Sequence, residues 1–231
     1  MTPDVDLLAI EIGVIWRLDD RGRLPGPEDL VVGVAADGMT AAVGPDVPGA
    51  LAARLLDLVA RGLPSSPGRP PEVLERCRAL LGEATVSGGP CYLIPPPPVP
   101  FDAPAAEVLR SDDPAHAERV RPLRPANWAR DEWHDLLDGR DGAPWAMVAA
   151  DDQVAAVCHT ARLTAAGAEA GVWTAPAFRG RGLAAATTAT WAGLLPGTRL
   201  FYSTGADNHS SQRVAARLGL RSIGWLWKLT R

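Results

Sequence analysis

The sequence predicts an α/β protein with a smaller α+β part at its N-terminal end, and three observations carry that expectation. Short apolar and β-branched runs alternate with helix-period segments, as strands and helices do in a layered α/β fold. The run Pro95-Pro96-Pro97-Pro98-Val99-Pro100 fixes φ and removes amide donors, so it reads as a stiff extended spacer. A strand near residue 171 runs into a two-glycine loop from which a helix opens directly. The expected division is an N-terminal α+β domain over 1–94, a proline-rich linker over 95–117 and a C-terminal domain over 118–231.

In the N-terminal part, Ile10, Ile12, Val14 and Trp16 alternate with Glu11 and Gly13, which predicts a strand with one buried face. Leu30 to Ala36 ends at the turn dipeptide Asp37-Gly38, so Met39 to Val43 pairs back as a hairpin. Leu51, Leu55, Leu58 and Val59 recur at helical spacing up to Gly62, and a second helix runs from Pro71 to Leu81 with Gly82 as its stop. Cys91 to Ile94 predicts a short strand. No nucleophile, base or metal cluster stands out in this part, which reads as a lid, a support or a degenerate half.

Beyond the spacer, strands are expected at Arg119–Leu123, Trp145–Ala150, Val154–Leu163, Ala170–Thr174, Leu200–Thr204 and Ile223–Leu229. Helices are expected at Pro125–Leu137, Leu183–Leu195 and Ser211–Leu218, each followed by a glycine or a Pro-Gly stop.

Composition narrows the function. Of 231 residues, 47% are apolar and 22% charged, which is globular rather than disordered, and a net charge of −4 gives no basic field for nucleic acid. No run of 18 apolar residues exists, and Asp4 and Asp6 replace the basic flank of a signal peptide, so a cytoplasmic protein without a membrane partner is expected. Cys77, Cys91 and Cys158 are odd in number and lack CxxC spacing, so neither a disulfide framework nor a metal site is expected.

The stretch Gly171-Val-Trp-Thr-Ala-Pro-Ala-Phe-Arg-Gly-Arg-Gly-Leu-Ala184 carries the most chemistry. The first N–H groups of the helix have no intrahelical partner, the helix dipole favours an anion there, and Arg179 and Arg181 add charged donors. Read as Gly180-x-Gly182-x-x-Ala185 with Asp207 downstream, the loop matches a dinucleotide fingerprint, but too few residues follow it for the βαβ units that such a fold needs.

Read as Arg179-x-x-Gly182-x-Ala184, within Thr174-x-Pro176-x-Phe178-Arg179-Gly180-Arg181-Gly182, the loop resembles the acetyl-CoA pyrophosphate loop of the GCN5-related N-acetyltransferases, in an actinobacterial-type branch. Tyr202-Ser203-Thr204 leading to Asn208, and the ending Ala216-Arg217-Leu218-Gly219-Leu220, resemble the family's next segment. The resemblance covers about 118–231. It implies a mixed central sheet flanked by helices, acetyl-CoA as cosubstrate, and direct transfer of acetyl to the amine of a small-molecule acceptor. The cofactor would be held by Val172, Trp173, Thr174, Arg179, Gly180, Arg181, Gly182, Leu183, Ala184, Asn208 and Ser211. A backbone N–H near Val172 would face the thioester oxygen. A homodimer is left open.

Seven residues after Asn208, where the family often holds a tyrosine as proton donor, stands Ala215; Ser211, Tyr202 or solvent must then protonate the thiolate. Glu169, entering the strand before the loop, is the preferred general base, with a solvated turn acid as its plainer role; His159 is the second candidate, with a structural histidine as its plainer role. Asn208 has an N-cap as its plainer role. Trp225 and Trp227 share one strand face, as core or as acceptor lining. Two other functions stay open: an acyl-CoA-binding protein without turnover, and a dinucleotide-binding module.

Overall fold

The computed structural model describes residues 2–82, 84–95 and 106–231. In chain order the described residues form α1 (Asp4–Trp16), β1 (Leu30–Ala35), β2 (Gly38–Val43), α2 (Gly49–Ala60), α3 (Glu72–Leu81) and β3 (Thr85–Ile94). There follow β4 (Leu109–Arg110), α4 (Pro114–Val120), α5 (Arg130–Leu137), β5 (Trp145–Ala150), β6 (Gln153–Thr164) and β7 (Gly167–Thr174). The chain ends with α6 (Leu183–Gly193), β8 (Leu200–Ser203), α7 (His209–Arg217) and β9 (Arg221–Thr230). All nine strands join one sheet in the order β2-β1-β9-β3-β8-β7-β6-β5-β4, antiparallel except between β7 and β8. None of these helices is long and apolar enough to cross a membrane.

The sheet is continuous across the expected domain boundary. β3, from before the proline run, lies between β8 and β9, and β1 pairs with the other edge of β9. Most of the proline run falls outside the described residues. The expected linker contains order at its end, because Leu109 and Arg110 pair with Met147 and Ala146 and Pro114 opens α4 behind an Asp113 cap.

Alternating core residues divide the helices between the two faces. Phe201, Cys91, Ile223 and Leu226 pack under α1, and Trp145, Met147 and Val157 pack under α4 and α5. On the other face Trp227, Leu229 and Val32 pack under α2 and α3, while Tyr202, Cys158 and Ala168 pack beneath α6 and α7.

The hairpin of β1 and β2, the helices α2 and α3, and the strands β5 to β9 form where the sequence predicts them. Two elements differ. Residues 10–16 are helical, because the buried set Leu7, Leu8, Glu11, Ile12 and Val14 follows a helix period that includes a carboxylate on the buried face. The Asp37 side chain accepts from the N–H groups of Asp4 (2.8 Å) and Val5 (3.0 Å), so the hairpin turn caps α1 from outside. Arg119–Leu123 is the end of α4 and a 3₁₀ turn; Trp133 Nε1 donates to the Arg121 carbonyl (3.1 Å), which ties that turn to α5. Around them, α5 begins at Arg130 rather than Pro125, and β3 extends back to Thr85.

A chain beginning near residue 101 would strip β9 of both its neighbours and β8 of one. Its unfolding, followed by circular dichroism, is expected to lose the cooperative transition of the full chain.

Candidate functional site

The site is built where two parallel strands part. β7 and β8 pair at Ala168↔Leu200 and Glu169↔Phe201 and no further; beyond, β7 stays with β6 while β8 stays with β3. Ala168 N–H donates to the Arg199 carbonyl (2.9 Å). By strand alternation the N–H groups of Ala170 and Val172 also point toward the gap.

From the gap the chain passes through a 3₁₀ turn at Pro176–Phe178 into Arg179-Gly180-Arg181-Gly182 and then α6. Gly180 and Gly182 have φ of +77° and +79°, where a Cβ is strained, and a Cβ on Gly182 would come within 2.9 Å of the Arg217 guanidinium. Facing this loop, α7 opens at Asn208, whose Oδ1 accepts the Ser211 N–H (3.1 Å).

Between loop, gap and α7 lies a cleft of about 480 Å³. Of the residues expected to hold the cofactor, Val172, Trp173, Thr174, Arg179, Gly180, Gly182, Leu183, Ala184, Asn208 and Ser211 line it. Arg181 does not: its guanidinium sits 4.9 Å from the Phe178 ring centroid and donates to the Ala177 carbonyl (3.1 Å). Asn208 both caps α7 and lines the cleft. Sequence reasoning missed Ser210, Arg213 and Arg217, which also line the cleft from α7; their i, i+3, i+7 spacing after the N-cap is the signal that could have found them.

The four candidate catalytic residues separate into two pairs. Tyr202 and Ser211 line the cleft with their hydroxyls 2.6 Å apart, and burial pushes the Tyr202 phenol up to about 12. Ala215 is buried in the core with Tyr202 and Trp191 and does not line the cleft.

Glu169 and His159 lie instead on the face covered by α1 and α5. Glu169 is 6% exposed; its Oε1 accepts from Ser203 N–H (2.8 Å) and Ser203 Oγ (2.7 Å), and its Oε2 is buried without a partner. Burial raises its carboxyl from 4.5 to about 7, partly offset by the two Ser203 bonds. Thr204 N–H donates to the Pro90 carbonyl on β3 (3.2 Å), so by alternation Ser203 N–H turns toward β7, and Glu169 receives it at the mouth of the gap. His159 sits over Gly171, where a Cβ would come within 2.4 Å of its Nε2, and stands edge-on to Trp128 at 5.1 Å. Its Nδ1 has no partner, and burial lowers the imidazole to about 4, so it is neutral near pH 7. Trp225 and Trp227 stack at 5.4 Å against the α2–α3 core, on strand β9 rather than at the cleft.

A family model described as "Acetyltransferase (GNAT) domain" matches residues 96–221. Among solved structures, a GCN5-related N-acetyltransferase from Kribbella flavida superposes with a TM-score of 0.51 at 15% identity, covering 100% of this chain and 96% of that one. An acetyltransferase from the GNAT family of Novosphingobium aromaticivorans DSM 12444 gives 0.47 at 24% identity, over 95% and 93% of the two chains. A GCN5-related N-acetyltransferase-like protein from Streptococcus suis 89/1591 gives 0.47 at 17%, over 92% and 86%. No curated protein sequence matches the chain.

The two buried groups give opposite pH slopes. Between pH 4.5 and 7 the folded state binds more protons at Glu169 than the unfolded chain does, so stability from this group falls as pH rises through that window. At His159 the folded state binds fewer protons between pH 4 and 6.5, so stability is lost as pH falls through that window. Thermal melts should show the Tm of Glu169→Gln gaining on the wild type as pH rises from 4.5 to 7. That of His159→Gln should gain as pH falls from 6.5 to 4.

Proposed function

The chain belongs to the GNAT acetyltransferase family and is an acyltransferase, and from that premise we propose that it transfers the acetyl group of acetyl-CoA to the amine of a small cytoplasmic acceptor. The observation that carries this reading is the meeting of the β7–β8 gap and the two-glycine loop in one cleft.

The residues present fit acetyl-CoA. The N-terminus of α6 and the side chains of Arg179, Arg213 and Arg217 suit its phosphates, and the glycine cradle leaves the backbone open to close approach. The gap between the strands suits an extended arm. When bound, acetyl-CoA supplies the activated acetyl group as a thioester.

The chain's own groups then divide the proton work. An alkyl amine is mostly protonated at neutral pH, and Glu169, with a carboxyl near 7, is suited to accept that proton through the Ser203 hydroxyl that touches its Oε1. The N–H of Val172, pointing into the gap, is the donor for negative charge developing on the acyl oxygen; one such donor is typically worth about 10²–10³ in rate. Ser211 Oγ, backed by the Tyr202 hydroxyl that stays protonated at neutral pH, is placed to return a proton to the departing thiolate.

Acetyl-CoA should raise Tm by mass action and NADH should not. Gly182→Val should abolish the shift, since a β-branched side chain is strained at that φ and would displace the Arg217 guanidinium from the cleft; an unchanged shift overturns the cofactor assignment. In a thiol-release assay across primary amines, Glu169→Gln is expected to lower kcat by about 10²–10⁴ with the acetyl-CoA shift intact. His159→Ala should stay close to wild type; the reverse pattern moves the base to His159.

A further inference from the structure

The β1–β2 hairpin ends the sheet, and its outer strand keeps backbone groups without partners. Gly44 N–H donates inward to the Asp29 carbonyl (2.8 Å), so by alternation Ala42 and Thr40 also bond β1. Met39, Ala41 and Val43 therefore turn their N–H and C=O groups outward. Leu24 N–H donates to the Val43 carbonyl (2.9 Å), and among the described residues nothing bonds the N–H or C=O of Met39 or Ala41. Exposed edges are usually blunted by shortness, charge, proline or a bulge. The other edge of this sheet is blunted so, because β4 has two residues, one of them Arg110. The β2 edge is not: Gly38 to Val43 runs in unbroken register, without charge or proline.

The helices above and below this edge are apolar along the same margin. A Cβ on Gly38 of β2 would lie 3.5 Å from Val5 of α1, whereas Leu8 reaches Gly33 of β1 and Gly224 of β9. The Val5 side of α1 thus faces the edge, and by helical period Ala9 and Trp16 share it, Ala9 exposed. On the other face α2 packs on β2. Its Leu51 and Leu58 join the core, and the opposite flank carries Ala53, Leu56 and Ala60, all exposed. The charged residues Asp6, Arg54 and Asp57 fall on other faces of the two helices.

We propose that this margin joins two copies of the chain, their β2 strands pairing antiparallel about a two-fold axis at Thr40. In that register Met39 of each strand stands opposite Ala41 of the other, and the four open groups on each strand all find partners. The next register, Ala41 opposite Ala41, would set Met39 against Val43, whose carbonyl Leu24 already holds. A foreign strand would satisfy the same backbone groups, but a second copy also brings a matching apolar flank on both faces of the seam. β1, β9 and β3 stand between the seam and β8, so the cleft of each copy remains free.

Sedimentation equilibrium of the full chain at about 100 µM, where even a micromolar dimer is assembled, should give twice the chain mass. Ala41→Pro removes an outward donor without touching the β1 ladder, and Leu56→Lys sets a charge on the seam; each should give a monomer that still melts cooperatively. Mild oxidation of Thr40→Cys should cross-link two chains, since residues facing each other on the axis lie about 4.5 Å apart between Cα atoms. Met39→Cys should not cross-link, and the native Cys77, Cys91 and Cys158 are buried. A monomeric wild type overturns the proposal, including one whose edge takes up an extended peptide instead. So does a dimer that survives in either folded variant, or a Thr40→Cys chain that does not cross-link. If Ala41→Pro fails to melt cooperatively, Leu56→Lys and the cross-link decide.

Discussion

The parting of β7 from β8 is the constraint on which the rest of the site depends, and a side chain holds the strands apart. Where the ladder would continue, Ser203 N–H donates to the carboxylate of Glu169 and not to a backbone carbonyl of β7. A buried N–H must find an acceptor, so a carboxylate there is a substitute rung that ends the sheet pairing without leaving a donor orphaned. The same interaction opens the slot toward Val172 and fixes the carboxylate oxygen that the proposed mechanism assigns to the proton. Structure and chemistry therefore share one residue, and the isosteric change to Gln is what tests the chemistry, because the amide oxygen can still accept from Ser203.

The sheet was legible where period and turn chemistry agreed. The Asp37-Gly38 hairpin, the Asp151-Asp152 turn and the glycine stops after α3 and α7 all place their elements. It was not legible where a tertiary partner overrode the local pattern. Ile10, Ile12, Val14 and Trp16 alternate as a strand does, but α1 is capped by the distant Asp37 and carries a carboxylate on its buried face. The continuity of the sheet was hidden for a related reason: the proline run marks a local stiffness, while strand order is decided by which edges remain unpaired. β9 offers two edges, and both are taken by strands from the first hundred residues.

The cleft was easier to read than the proton chemistry. A loop needing φ > 0 at two positions and a helix start is a local demand, so Arg179 to Ala184 announce it in sequence. Arg213 and Arg217 act through a helix face opposite that loop, which becomes visible only once Asn208 is recognised as the cap. Arg181 instead covers the ring of Phe178, three residues before it. Ala215 has a physical account as well: its position is core, and the hydroxyls of the cleft come from Ser211 one turn earlier and from Tyr202 on β8.

Burying the carboxyls of Glu11 and Glu169 costs stability, and an apolar side chain at residue 11 would fit the neighbours Leu8, Ile12 and Phe201 without that cost. The location of the two bears on why such a cost is tolerated. One carboxyl comes from the first helix and the other from the strand that opens the cleft, and the Cys91 thiol facing Glu11 comes from β3, the strand inserted between β8 and β9. The residues before the proline run thus do more than close sheet edges. They supply part of the dry, apolar wall whose burial raises the Glu169 carboxyl above that of an ordinary surface acid, the condition that the proposed base needs.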